Sequence, residues 1–156
     1  MRSLRTRADV AGLEFHVDYW DNADWHDPFS QHAFSAHQDA ISRRNNHSEV
    51  YTPQVWVDGH VWRNWPNGTL PPVPAAAPTL TMQVEANANA QVHVQLYAIA
   101  ATTEPWQNYK LYVALTENGL ANDVRGGENR GKHLSHDAVV RSFSGPLDFP
   151  RAGSNA

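Results

Sequence analysis

The spacing of apolar residues predicts a short strand near the start of the chain. Residues 10–19 place apolar β-formers at nearly alternate positions, as a half-buried strand does. If the strand is regular, His16, Asp18 and Trp20 share one face, because successive side chains of a strand point to opposite sides. Polar side chains are therefore expected together on one side of this strand.

A helix and a hairpin are predicted next. Residues 29–45 repeat apolar side chains at helical spacing, with Pro28 suited to the first turn and basic residues in the last. Residues 54–58 and 60–65 read as two strands around Asp58-Gly59, a strong signal for a tight hairpin turn. The first half of the chain is therefore expected to contain a strand, a helix and a hairpin in that order.

The second half has a β pattern. Residues 66–78 hold five of the ten prolines and predict an extended linker. Residues 79–85 and 92–98 alternate and predict a second hairpin, and residues 109–116 predict a further strand. Residues 136–143 predict a last strand or a short helix. A small, mostly antiparallel β domain is therefore expected after the linker.

Composition excludes several classes of function. The 156-residue chain has a net charge of −4 and no basic run, which argues against nucleic acid as a partner. Its apolar runs are far shorter than the roughly 20 residues that span a bilayer. It has no cysteine, which excludes disulfides, thiolate metal sites and cysteine-based redox chemistry in this chain. The basic N-terminus lacks an apolar segment, so no signal peptide is expected in it.

Four stretches carry a resemblance to a known family. They are FHVDYWD at residues 15–21, DPF at residues 27–29, YTPQVWVDG at residues 51–59 and GENRGKHLSH at residues 127–136. In this order and spacing the chain resembles the bacterial thioredoxin-like family catalogued as domain of unknown function 1223. The resemblance covers about residues 10–141. It implies a thioredoxin-like α/β fold, a cis-proline loop at Thr52-Pro53 and a periplasmic or secreted location.

The chain departs from this family at both ends. Family members normally carry a Cys-x-x-Cys segment before the first of these stretches, and the chain begins after that place. The helix that closes a thioredoxin-like domain is replaced by the proline-rich linker. We therefore expect an incomplete thioredoxin-like α/β domain followed by a small, mostly antiparallel β domain. The expected boundaries are 1–68 for the truncated first domain, 69–78 for the linker, 79–143 for the β domain and 144–156 for an irregular tail.

The first candidate site is the loop of Tyr51, Thr52, Pro53 and Gln54. By its resemblance to a cis-proline loop, the loop would hold an extended peptide or a protein partner through its backbone. The alternative is an inherited turn that binds nothing. Thiol–disulfide exchange needs a thiolate, so this chain cannot itself catalyse that reaction beside the loop.

The second candidate is a metal site of His16, Asp18, Asp21 and His26. Imidazole and carboxylate donors suit Zn²⁺ or Cu²⁺, and His16 with Asp18 could supply two donors from one strand face. No recognised metal motif has this spacing, and Asp21 could instead order its loop through backbone hydrogen bonds. Both interpretations stay open on the sequence alone.

The third candidate is a polar loop that contains Glu128, Asn129, Arg130, His133 and His136. Its glycines would let backbone N–H groups converge on an anion, and either histidine could act as a general base. The alternative is a hydrogen-bonded loop that only joins two strands. No nucleophile motif accompanies the loop, so no catalytic residue is predicted.

Three functions compete on this basis. The leading hypothesis is a non-enzymatic protein, without redox activity in this chain, that acts in binding or scaffolding. The second is a fragment of a longer periplasmic oxidoreductase-like protein whose Cys-x-x-Cys lies upstream. The third is a metal-binding protein that uses the His/Asp cluster, with Zn²⁺ or Cu²⁺ as the conceivable cofactors. Exposed sheet edges would also favour self-association.

Overall fold

One α-helix and eight β-strands make up the described part of the chain in a computed structural model. The structure describes residues 7–47, 49–65, 69–72, 80–87, 89, 92–98, 110–127 and 129–148. In chain order the elements are α1 (His32–Arg44), β1 (Trp56–Val57), β2 (His60–Val61), β3 (Leu80–Ala86), β4 (Val92–Ala98), β5 (Lys110–Glu117), β6 (Leu120–Asp123), β7 (His133–His136) and β8 (Val139–Asp148). The strands pair antiparallel as β1–β2, β3–β4, β5–β8 and β6–β7.

The chain divides into two compact units. The first contains the described residues of Met1–Pro53 and Lys110–Asp148, and the second contains those of Gln54–Tyr109. The first unit therefore combines α1 with strands β5 to β8, and the second contains β1 to β4. The domain boundaries expected after residues 68, 78 and 143 stay predictions.

The core of the first unit is apolar and lies between the helix and strand β8. Phe34 of α1 is 1% exposed, and Val139 and Val140 of β8 are 0% and 1% exposed. The Phe15 ring stands edge-on to Phe34, at 5.3 Å between ring centroids, and to Phe143, at 5.1 Å. Edge-to-face contacts of this kind are favourable beyond the apolar area they bury. Phe15 thus links α1 to β8.

A single parallel β-bridge joins the N-terminal segment to β8. The Glu14 N–H donates to the Ala138 carbonyl at 2.8 Å, and the Val140 N–H donates to the Glu14 carbonyl at 2.9 Å. Two residues further on, the His16 carbonyl accepts the Gln31 N–H at 3.2 Å. Residues 14–16 are therefore held between β8 and the segment that leads into α1.

The helix predicted over residues 29–45 is confirmed, with a later start. α1 begins after an extended Gln31, at φ −144° and ψ 138°. Ahead of it, the Asp27 carboxylate accepts the Phe29 N–H at 3.0 Å, and the Asp27 carbonyl accepts the Ser30 N–H at 3.1 Å. These local bonds hold a turn that competes with helical geometry, so the helix starts beyond it.

Both predicted hairpins are confirmed in the second unit. β1 and β2 join through Asp58 and Gly59, whose φ angles are +48° and +81°. Two positive φ angles give a turn whose twist matches that of the flanking strands. β3 and β4 are each seven residues long and pair in register from end to end. The returning strand β2 is shorter than the predicted 60–65.

The predicted strand over 109–116 is confirmed as β5, and its partner β8 continues to Asp148. Their register shifts between Leu111 and Val113. Opposite this shift stands Gly145, at φ +134°, where an added Cβ would lie 2.5 Å from the Tyr112 ring. Glycine is required at this bulge because both the backbone angle and the space exclude a side chain.

The expected fold class, an incomplete thioredoxin-like α/β domain, is wrong. All paired strands of the described residues are antiparallel, in four two-stranded sheets. The segment 10–19 makes one bridge and is not a regular strand, because its later backbone groups are taken by local partners. The Asp18 N–H donates to Ser35 Oγ at 2.9 Å, and the Asp21 N–H donates to the Asp18 carbonyl at 3.0 Å. The strand β1 pairs with β2 alone among the described strands.

Two predictions fall mostly outside the described residues. Of the predicted linker at 66–78, the structure describes residues 69–72, and of the predicted tail at 144–156 it describes residues 144–148, which belong to β8. Within the described ranges, no helix has the length and apolar character needed to cross a bilayer.

We predict that Val139→Ala lowers the free energy of unfolding by about 2 kcal/mol, because it removes fully buried methyl groups and leaves a cavity. Val113→Ala is the matched control. Val113 also lies in a strand but is 40% exposed, so its loss is expected to cost less than about 0.5 kcal/mol. Urea unfolding of both variants measures the difference, and equal costs would contradict the assigned core.

Candidate metal centre

Two histidines and a glutamate meet where the N-terminal segment crosses the end of β7. Glu14 Oε1 lies 2.8 Å from His136 Nδ1 and 3.3 Å from His16 Nε2. The three donor atoms all lie within 4.8 Å of one another. Glu14 comes from the bridge to β8, His16 from two residues later, and His136 from the last position of β7.

The second ring nitrogen of each histidine faces an acceptor on the outside of this cluster. His16 Nδ1 lies 2.7 Å from Asp27 Oδ2, and His136 Nε2 lies 3.1 Å from Asn122 Oδ1. A carboxylate only accepts, so His16 Nδ1 donates to Asp27. By the same rule His136 Nδ1 donates to the Glu14 carboxylate in the metal-free protein. The two inner atoms, His16 Nε2 and His136 Nδ1, both face Glu14, and each would have to give up its proton to bind a metal ion.

One of these inner atoms is buried without a hydrogen bond. Among the buried side-chain atoms of the described residues, His16 Nε2 lacks a well-formed hydrogen bond, although the Glu14 carboxylate is close. The His16 side chain is only 9% exposed. His16 Nε2 is therefore held by its ion pair with Glu14 at 3.3 Å and not by a well-aligned hydrogen bond.

The cluster is shielded by an aromatic ring and open to solvent mainly at Glu14. The Phe29 ring stands 5.3 Å from the His16 ring and 5.7 Å from the His136 ring, in both cases edge-on. The two imidazole rings are themselves 4.8 Å apart. The side chains of His16 and His136 are 9% and 11% exposed, whereas that of Glu14 is 26% exposed.

The charges of the cluster support one another. Burial by itself lowers the pKa of His16, but the hydrogen bond to Asp27 and the nearby Glu14 carboxylate outweigh it and raise this pKa to about 9. Burial would raise the pKa of Glu14 and of Asp27, but their histidine partners outweigh it and lower both pKa values. A positive charge is therefore strongly favoured at the centre of this cluster.

The comparison with protein families gives one match. The model of the family described as Protein of unknown function (DUF1223) matches residues 1–151. The chain belongs to the DUF1223 family. No curated protein and no solved structure matches it. The predicted family is thus confirmed, while its description assigns no activity to the DUF1223 chain.

Of the four residues of the predicted His/Asp metal site, the structure pairs Asp21 with His26 and places His16 and Asp18 with other partners. Asp18 bonds Ser35 Oγ through Oδ1 and His32 Nδ1, at 3.0 Å, through Oδ2. Asp21 Oδ2 accepts Ser30 Oγ at 2.6 Å and lies 2.5 Å from the exposed His26 Nδ1. Only His16 of the four reaches the buried cluster. The assignment of the other three as ligands stays a prediction.

The polar loop is closed by its own hydrogen bonds. His133 Nδ1 lies 2.7 Å from Asp123 Oδ1, Lys132 Nζ donates to Asn129 Oδ1 at 2.9 Å, and the Arg130 N–H donates to the Gly127 carbonyl at 3.2 Å. Glu128 lies outside the described residues. Of the loop residues that the structure describes, His136 is the one that joins the cluster.

The predicted cis-proline loop makes its hydrogen bonds with other residues than those of the cluster. The Thr52-Pro53 peptide bond is cis. Trp20 Nε1 donates to Thr52 Oγ1 at 2.8 Å, and Gln38 Nε2 donates to the Tyr51 carbonyl at 3.0 Å. Gln54 belongs to the second unit. The binding role of this loop stays a prediction.

Sequence reasoning missed Glu14 as a ligand and Asn122 as an outer partner. Glu14 could have been found, because it precedes His16 by two residues and alternate residues of an extended segment share a face. No local signal pointed to Asn122. Its role depends on His136, which contacts Glu14 across 122 residues of sequence.

We predict that the metal-free protein loses stability as the pH rises from about 6.5 to about 9. The pKa of His16 is higher in the folded state, about 9, than its ordinary value of 6.5, so the stabilisation is complete below pH 6.5 and is lost as the pH passes the folded value. The loss is at most about 3 kcal/mol. Urea unfolding in the presence of a chelator measures it.

In this experiment His16→Gln should abolish the decrease of the free energy of unfolding between these pH values, whatever its effect on overall stability. His32→Gln, at a side chain that is 89% exposed, is the control and should keep this decrease. An equal decrease in wild type and His16→Gln would show that His16 is not held as an imidazolium.

Proposed function

We propose that this protein binds a divalent transition-metal ion, Zn²⁺ in the first place, through Glu14, His16 and His136. The observation that carries the proposal is the pair of buried ring nitrogens that face one carboxylate oxygen. Each ring keeps its other nitrogen against an acceptor. Two imidazoles and one carboxylate form a donor set that Zn²⁺ and Cu²⁺ both accept.

The distances support an ion at this position. Zn²⁺ binds imidazole nitrogen and carboxylate oxygen at about 2.0–2.2 Å, which places neighbouring donor atoms about 3–3.5 Å apart. The Glu14 oxygen lies 2.8 Å from His136 Nδ1 and 3.3 Å from His16 Nε2. The two ring nitrogens lie within 4.8 Å of each other, so side-chain movements that draw the rings together would bring all three donors into contact with one ion.

The outer partners support the same proposal. A metal-bound histidine commonly donates its other N–H to a carboxylate or a carbonyl, which fixes the tautomer and orients the ring. Asp27 has this position beside His16, and the amide oxygen of Asn122 has it beside His136. Asp27 is itself oriented, because its second oxygen accepts the Phe29 N–H at 3.0 Å.

The electrostatics support a cation at the centre. Without a metal, a proton on His16 supplies the positive charge that Asp27 and Glu14 stabilise. A metal ion would displace that proton and provide the same charge, so binding should release a proton and strengthen as the pH rises. Thiol chemistry is not available, because the chain has no cysteine. The family resemblance further supports the proposal of a periplasmic or secreted location.

We predict that calorimetric titration of the chelator-treated full chain with Zn²⁺ gives one binding site in the micromolar range or tighter. Glu14→Gln and His136→Gln should each weaken binding by more than the roughly 10–100-fold typical of losing an outer partner, because each removes a donor atom. Circular dichroism of the metal-free variants checks that they remain folded.

His26→Gln is the matched control, because His26 is also paired with a carboxylate but lies outside the cluster at 69% exposure. Its affinity for Zn²⁺ should equal that of the wild type. The proposal would be refuted by wild-type binding no tighter than millimolar for both Zn²⁺ and Cu²⁺. Equal loss in His26→Gln and His136→Gln would also refute it.

A second candidate function, binding of an extended peptide, is favoured by the surface around Thr52. Trp20 is 61% exposed and Tyr19 is 42% exposed, with 5.6 Å between their ring centroids. The Trp20 indole N–H is fixed by Thr52 Oγ1, and the Tyr19 hydroxyl donates to Gln38 Oε1 at 3.1 Å. Exposed aromatic rings with one polar end held in place are typical of binding surfaces.

We predict that a random-peptide display library yields binders whose affinity falls at least about tenfold in Trp20→Ala, because truncating an aromatic hot-spot residue costs about 2 kcal/mol or more. Trp65→Ala is the control, since Trp65 is 40% exposed and belongs to the other unit. Binders that are unaffected by Trp20→Ala, or no enrichment at all, would exclude this surface as a peptide site.

A further inference from the structure

The number of donors in the cluster decides what kind of metal site it forms. Among the described residues, the group of His, Asp and Glu side chains with converging donor atoms contains three members, Glu14, His16 and His136. Cysteine cannot add a fourth, because the chain has none. Structural zinc sites close with four protein donors, whereas sites with three keep a position for water or another ligand.

The two residues that hold the outer ring nitrogens are not available as a fourth donor. Asp27 Oδ2 accepts from His16 Nδ1, on the far side of that ring, and Asp27 Oδ1 accepts the Phe29 N–H. Asn122 Oδ1 faces His136 Nε2, again on the far side of the ring. Both residues would have to abandon the bonds that orient the imidazoles in order to reach the ion. They therefore stay outside the first coordination sphere.

The direction from which an added ligand arrives follows from exposure. Phe29 packs on both imidazole rings, and the His16 and His136 side chains are 9% and 11% exposed. The Glu14 side chain is 26% exposed, so solvent reaches the cluster mainly beside this carboxylate. An ion bound by all three residues would meet water on the Glu14 side.

The charge of the bound ion and its three donors determines which kind of molecule can occupy the remaining coordination position. A divalent ion with one carboxylate and two neutral imidazoles has a net charge of about +1 in its first coordination sphere. A buried net positive charge favours an anionic or strongly polar donor over a neutral apolar molecule. Water, hydroxide, a carboxylate or another small anion satisfies both the coordination number and the charge.

Resting on the proposed metal binding, we infer that the ion at Glu14, His16 and His136 keeps one exchangeable coordination position, open on the Glu14 side, that takes water or a small anion. In the exchange, the bond from the metal to a water oxygen breaks, the water leaves, and a bond from the metal to a donor atom of the anion forms. No oxidant or reductant takes part. The protein then presents a bound cation to anionic ligands and does not simply use it as a structural clamp.

The test uses the full chain loaded with Co²⁺, whose visible absorption bands respond to the number and type of its ligands. Calorimetry first establishes that Co²⁺ and Zn²⁺ bind at one site. Sodium azide is then titrated into the Co²⁺ protein, with sodium perchlorate at equal concentrations as the control for ionic strength, since perchlorate coordinates weakly. The expected result is a saturable shift of the cobalt bands with azide and none with perchlorate.

The outcomes separate this inference from the proposed function. If Co²⁺ binds and azide leaves its spectrum unchanged, the coordination is closed and the inference is overturned, while metal binding stands. If azide produces the spectrum of free cobalt, it strips the ion and the inference is likewise overturned. If neither metal binds, the proposed function itself fails, and the inference fails with it.

Discussion

Two hydrogen bonds between the Glu14 backbone and the start of β8 fix the segment that brings Glu14 and His16 to the candidate metal centre. They join the Glu14 N–H to the Ala138 carbonyl and the Val140 N–H to the Glu14 carbonyl. Val139, between these partners, is fully buried, so the bridge is shielded from water. Backbone groups that are shielded from water must stay paired. The buried bridge is therefore enough to hold residues 14–16 in place. The Glu14 carboxylate is thereby brought to the end of β7, beside His136.

The cluster that results is expensive to bury, which indicates a role beyond stability. Charged groups in a protein interior lose hydration, and an apolar set of similar volume is often at least as stable. Here the cost is offset by a connected network, in which Asp27 and Asn122 each hold one imidazole. The least well bonded atom of the network is His16 Nε2, which pairs with the Glu14 carboxylate at 3.3 Å without a well-formed hydrogen bond. In the proposed site this is one of the atoms that a metal ion would bind.

The elements that depend on local pattern could be predicted from the sequence, and those that depend on distant pairing could not. The helix, both hairpins and β5 follow from periodicity and from the Asp58-Gly59 turn. The segment 10–19 has the pattern of a strand, but Asp18 and Ser35 divert its backbone into a turn. The predicted His/Asp metal site likewise assumed that residues close in sequence share one site in space. Asp18 bonds Ser35, whereas Asp21 accepts from Ser30 and from the N–H of Asp27, the residue that holds the outer nitrogen of His16.

The stretches that carry the family resemblance acquire a different meaning once the fold is known. FHVDYWD supplies Phe15 to the core and His16 to the cluster, and DPF supplies the outer carboxylate of Asp27 and the shielding ring of Phe29. GENRGKHLSH ends in His136, the second imidazole. Three of the four stretches therefore contribute residues to one cluster or to its surroundings. Because imidazole and carboxylate donors need no thiol, the proposed metal binding is compatible with a chain that has no cysteine.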